Sequence, residues 1–163
     1  MLRLVQVTGV FTVAVFFTLV VVGNVFDPAT NMAFVERVLM MDTTFKRPAL
    51  MGRAITDDWA HQVAYYGIVV WEALAGLLAW IGFAAMLFRM RADAQRFDRA
   101  KRLATLGCLA GFLLYFLGFV VVGGEWFAMW QSKEWNGQQA AFRFAALIGF
   151  VLVFLLMREE RRD

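Results

Sequence analysis

The chain has 163 residues, 61% of them hydrophobic, with a mean hydropathy of +0.63 and a formal charge of +3. A soluble domain of this size is about 45–50% apolar, so the excess, gathered in long blocks, points to a membrane. The small charge sits at the block ends and gives no footing for a nucleic-acid partner. The single cysteine, Cys108, excludes an intrachain disulfide, a CxxC redox motif and a cysteine-based zinc site.

Residues 4–23 (LVQVTGVFTVAVFFTLVVVG) carry no charge and are long enough to span a hydrocarbon core. Arg3 before them would also suit a cleaved signal peptide. The run is long for that, and no A-x-A site follows, so it reads as a membrane-retained first span. An outer loop, 24–60, comes next. Asp27-Pro28 breaks the first helix, and Asn31 is expected to cap a short amphipathic helix in which Phe34, Val35, Val38 and Leu39 share one side. Such a helix lies on the bilayer or plugs the mouth of the bundle, or simply packs over loops. Thr56 is expected to cap the next helix, with Asp57 and Asp58 in its first turn. That helix carries the second span, 61–88.

A basic loop, 89–102, holds six Arg or Lys. The third span is 103–123, the outer loop 124–138 follows with Asn136-Gly137 as a turn, and the fourth span is 139–157. The fold class expected is therefore all-α: one integral membrane domain over 1–163, a four-transmembrane-helix bundle with an outer cap. Arg3, the 89–102 block, Arg158, Arg161 and Arg162 make ten cations on one side. Arg37, Lys46, Arg47, Arg53 and Lys133 make five on the other. The positive-inside rule then places both termini in the cytoplasm. Thirteen Arg against three Lys hint at a bacterial, GC-rich genome.

Three charges matter for what lies inside the membrane: Glu72, Glu125 and Arg143. A charge at mid-bilayer costs roughly 2.5–3.5 kcal/mol on insertion scales, so such residues face protein. Glu72 lies on a stripe with Ala75, Gly76, Ala79 and Gly82, a small-residue face built to meet another helix. Gly107, Gly111 and Gly118 form the matching seam on the third span. Glu125 and Arg143 lie level at the outer ends of adjacent antiparallel spans and are expected to pair, or Arg143 to reach Glu72. The cluster would fix helix register, bind a ligand, ion or proton, or meet a partner subunit. Trp126, Trp130 and Trp135, with Trp59, suit an aromatic belt. Their crowding suggests an outer aromatic pocket shared with His61. The lone His61 cannot supply two axial haem ligands. No phosphate loop, metal cluster or nucleophilic triad is visible, so no catalytic residue and no cofactor is implied.

Four segments resemble one family: FVERVLMMDTTF (Phe34–Phe45), Arg53-Ala54-Ile55, Trp71-Glu72 and GGEWFAMWQSKEWNGQQAAFRF (Gly123–Phe144). They are similar to the bacterial predicted small integral membrane proteins grouped as domain of unknown function 2165. The resemblance implies a four-span inner-membrane protein and supplies no activity or catalytic residue. The leading expectation is a non-enzymatic accessory or scaffold subunit of a larger membrane complex or homo-oligomer, in contact with the lipid bilayer. The alternative is a small transporter or ligand-binding protein using Glu72, Glu125 and Arg143. A quinone- or haem-associated redox subunit is the third.

Overall fold

A computed structural model describes residues 1–158. Four helices are long and apolar enough to cross a membrane. They are α1 (Leu2–Phe26), α4 (Asp58–Phe88), α5 (Ala94–Leu113) continued by a π-helical segment (Leu114–Trp126), and α6 (Gln138–Leu156). Two short helices, α2 (Pro28–Met40) and α3 (Pro48–Met51), and one 3-10 turn (Met129–Gln131) complete the order. There is no strand among the described residues. The chain is an all-α polytopic membrane protein.

The bundle closes as a ring, with α4 packed on α1 and α5, and α6 on α5, the π segment and α1. Small residues set the closest approach. A Cβ on Gly82 would stand 2.2 Å from the Ala104 nitrogen, and one on Gly107 2.8 Å from the Ala75 oxygen and the Ala79 nitrogen. The α4 stripe thus meets α5 backbone to backbone, the contact that glycine and alanine permit where the solvent is hydrocarbon and packing drives association. Gly111 and Gly118 do not join this seam, contrary to the reading from spacing: a Cβ on Gly111 would meet Phe17 of α1 at 2.5 Å and Ile148 of α6 at 3.4 Å. The switch to i→i+5 bonding after Leu113 rewinds the helix and turns Gly118 away, so that a Cβ there would meet only Leu114. Trp71 Nε1 donates to the Ala110 carbonyl at this switch, 2.9 Å.

Helix boundaries differ from the sequence expectation in three places. Asp93, not a residue near 103, starts the third helix, and its side chain accepts from the Arg96 N–H at 2.9 Å. Asn31 is not a cap: Asp27 alone interrupts the chain, and Pro28 occupies the first turn of α2, where its missing N–H is no loss. Asp57, not Thr56, holds the N-cap position of α4.

One end of the bundle gathers the N-terminus, the α4–α5 connection and the end of α6. Arg3 donates to the Met90 and Ala92 carbonyls at 2.8 and 2.6 Å. Gln6 donates to Phe154 O and buried Lys101 to Met157 O, satisfying carbonyls that a helix C-terminus leaves open. The opposite end carries the cap, which has a small core of Met41, Phe127 and Ala128 under Val38, Leu50 and Ile55. Thr43 donates to Ser132 Oγ at 2.8 Å, tying the two loops of the cap together. Arg37 pairs with Asp42 where α2 ends, a hydrogen bond that raises the guanidinium above its ordinary value.

Candidate functional site

The deepest charged residue is Glu72, 3% exposed. It lies about 21 Å along α4 from Asp58 and about 24 Å from Phe88 at 1.5 Å per residue. Its carboxylate accepts from Asn24 Nδ2 at 2.7 Å and from the Tyr115 hydroxyl at 3.3 Å. Asn24 in turn accepts at Oδ1 from Asn31 Nδ2, 2.6 Å. Local chemistry explains why Asn24 is reachable. Its carbonyl would bond the N–H four residues on, but that residue is Pro28, so the Tyr65 hydroxyl donates to it instead, 2.8 Å. One network therefore ties the end of α1, the first turn of α2, the middle of α4 and the start of the π segment. The Glu72 carboxylate has no cationic partner among the described residues; both of its donors are neutral.

These braced elements also wall a pocket of about 230 Å³ beneath the cap. Phe34, Val38 and Leu39 come from α2, Ala64 and Ile68 from α4, and Leu114, Gly118, Phe119 and Val122 from the π segment. Phe127 and Met129 close it from the loop. Its lining is almost wholly apolar. Phe34 is held over it by Phe119 and Trp135, each with ring centroids 6.3 Å away, and by Gly137, where a Cβ would come within 2.8 Å of its ring. Gly124 gives a second close approach: a Cβ there would lie 2.0 Å from Gln138 Nε2.

Four apolar spans, a cap and a buried acid define a small integral membrane protein. Residues 2–158 match the family described as Predicted small integral membrane protein (DUF2165). The chain belongs to that family. No curated protein and no solved structure matches it.

The remaining sequence-derived site residues of this family member do not gather as expected. Glu125 and Arg143 form no ion pair among the described residues. Both are exposed, and Arg143 lies on the outward side of α6, opposite the inward Ala141, Ala145 and Ile148. Being level along two helices does not make two side chains meet, because the apolar stripe of each helix decides which way they point. Arg143 does not reach Glu72 either; it stands in the second turn of α6, from which a long side chain snorkels toward the interface. Nor do the tryptophans share a pocket. Trp126 stacks under Arg53, Trp130 meets Phe45 edge-on and Trp135 packs on Phe34. The left-handed turn at Ala128 (φ 53°) and the 3-10 turn after it fan them apart. His61 is buried and sits elsewhere, with Nε2 2.9 Å from the Ile55 carbonyl, where it fastens the loop to α4. Sequence reasoning missed Asn24, Asn31, Tyr65 and Tyr115. The signal for Asn24 was present: an amide at the end of an apolar run, four residues before a proline.

Proposed function

We propose that the protein is a non-enzymatic ligand-binding membrane protein that holds an apolar, membrane-borne molecule beneath its cap. The observation that carries this is the pocket. Three separate elements converge on it, and the Glu72 network braces all three. Its volume exceeds the roughly 150 Å³ of a dry cavity that binds benzene, so a length of hydrocarbon chain fits. Glu72 serves as a brace in this reading, and Glu125 and Arg143 take no part in that brace. The cationic residues favour an orientation with both termini in the cytoplasm of a bacterial inner membrane and the cap outside. Arg161 and Arg162 of that count lie outside the described residues.

The test uses an alkyl diazirine probe on the full chain in native membranes, with labelled residues mapped by mass spectrometry. The expected result is labelling of the pocket walls at Ile68 or Phe119 that disappears in Gly118→Phe, whose side chain has room to enter the pocket. Labelling of outward Phe150 on α6 continues in both. Pocket labelling unchanged by Gly118→Phe would overturn the proposal.

A second reading, an accessory subunit of a larger complex, draws support from Arg143. A guanidinium on the outward side of a spanning helix, among exposed Phe142, Leu147 and Phe150, suits a carboxylate on a neighbouring helix. Mild-detergent affinity purification from native membranes tests it. A stoichiometric partner lost in Arg143→Leu supports this reading, and recovery of the chain alone counts against it.

A further inference from the structure

We infer that the bound molecule is a phospholipid whose headgroup carries both a phosphate and a primary ammonium, of the phosphatidylethanolamine class. This deepens the pocket reading and rests on it. Beside the apolar pocket is a wide, shallow mouth lined by Arg53, Val121, Glu125 and Trp126. Val122 and Phe127 line both spaces, so the apolar pocket and the mouth adjoin across these two side chains. A molecule spanning the two needs a hydrocarbon tail and a charged head, which in a bilayer is a lipid.

The mouth carries one charge of each sign, each with capacity to spare. Arg53 Nη1 donates to the Trp126 carbonyl at 3.2 Å, and its Cζ stands 4.6 Å from the centre of the Trp126 ring. Stacking and that one bond fix the plane of the guanidinium. Four of its five N–H donors are left over, in the fork that matches phosphate oxygens. Glu125 is exposed and makes no ion pair among the described residues. It is an acceptor for an ammonium N–H, which an ethanolamine head supplies, a choline head lacks and a glycerol head replaces with neutral hydroxyls. An anionic lipid would satisfy Arg53 and leave its head facing the Glu125 carboxylate. The charge pair thus selects the zwitterion with N–H donors.

The experiment is native mass spectrometry of the delipidated full chain in neutral detergent. Equal amounts of phosphatidylethanolamine, phosphatidylcholine and phosphatidylglycerol are offered, with a long-chain alcohol as a tail-only probe. The expected result is ethanolamine lipid retained about tenfold over the other two, the factor one charge-assisted hydrogen bond of about 1.4 kcal/mol supplies. Glu125→Gln abolishes that preference while total lipid is kept. Arg53→Gln lowers all three phospholipids relative to the alcohol, and Arg53→Lys, which keeps the charge, recovers part of the loss. Soluble phosphoethanolamine does not displace the lipid. Equal retention of all four molecules, unchanged in the Glu125 and Arg53 variants, would overturn the headgroup inference while leaving the pocket intact. Retention that survives Gly118→Phe would strike the pocket itself. Displacement by soluble phosphoethanolamine would show a headgroup site without a tail, and overturn the lipid assignment.

Discussion

Substituting Gly82 by alanine tests the packing that holds the bundle. The new Cβ would stand 2.2, 2.5 and 2.6 Å from the nitrogen, Cα and Cβ of Ala104. Two of these are backbone atoms and cannot rotate aside. To restore an ordinary contact near 3.4 Å, α4 and α5 must separate by about 1.2 Å at that point. A gap of about 0.5–1 Å already forfeits a quarter to a half of the dispersion energy of each facing atom pair. The seam from Ala75 to Gly82 against Ala104 and Gly107 loses contact together, and overpacking of this kind costs about 1–3 kcal/mol. Gly67→Ala is the control, since a Cβ there meets nothing within 4 Å. Both changes gain the same helix propensity of roughly 1 kcal/mol, so it cancels in the comparison. Unfolding of the full chain in mild detergent by added dodecyl sulfate, followed by tryptophan fluorescence, should place Gly82→Ala about 1–3 kcal/mol below Gly67→Ala. Equal midpoints for the two variants would refute the backbone-to-backbone docking of α4 on α5.

Three further outcomes are expected. Glu72→Gln should cost less than Glu72→Leu, because its amide oxygen still accepts from Asn24 and only the Tyr115 O–H loses its acceptor, the Tyr115 oxygen now accepting from the new NH₂. Glu72→Leu leaves both donors unpaired and should lose about 1–3 kcal/mol in the same titration, at roughly 0.6–1.7 kcal/mol for each interhelical bond; equal stabilities would mean that the network braces nothing. Glu125→Gln and Arg143→Gln should add within about 0.3–0.5 kcal/mol in a double-mutant cycle, whereas a larger coupling would restore the pair that the structure separates. Cys108 is buried, so wild type should resist an impermeant thiol reagent. On spheroplasts Lys133→Cys should then label and Arg96→Cys should not, and the reverse pattern would invert the orientation.

The four spans are legible because each is a long apolar run, and length against bilayer thickness decides the reading. The inward side of α4 is legible too, since Glu72, Ala75, Gly76, Ala79 and Gly82 fall on one stripe and all are buried. The partners of Glu72 were not legible. Asn24 and Tyr115 lie 48 and 43 residues away in sequence, and no local pattern links an amide at one helix end to a phenol inside another. Arg143 was misread because level was weighed and azimuth was not; Ala141, Ala145 and Ile148 already mark the inward side. The tryptophan loop failed for a backbone reason. A non-glycine left-handed residue, Ala128, and a change of helix type at Leu114 decide where Trp126 and Trp130 point, and neither has a strong residue signature.

The Glu72 network also bears on how the chain is made. Synthesis delivers Asn24 first, then Glu72, and Tyr115 last. When α4 leaves the ribosome its carboxylate must enter lipid, and of its two eventual donors only the amide on α1 is already there. The first span thus acts as an insertion aid for the second, and α4 expressed alone would carry its acid into the bilayer unassisted. The hydroxyl on the third crossing arrives as a latch that closes the assembly once both earlier helices are in place.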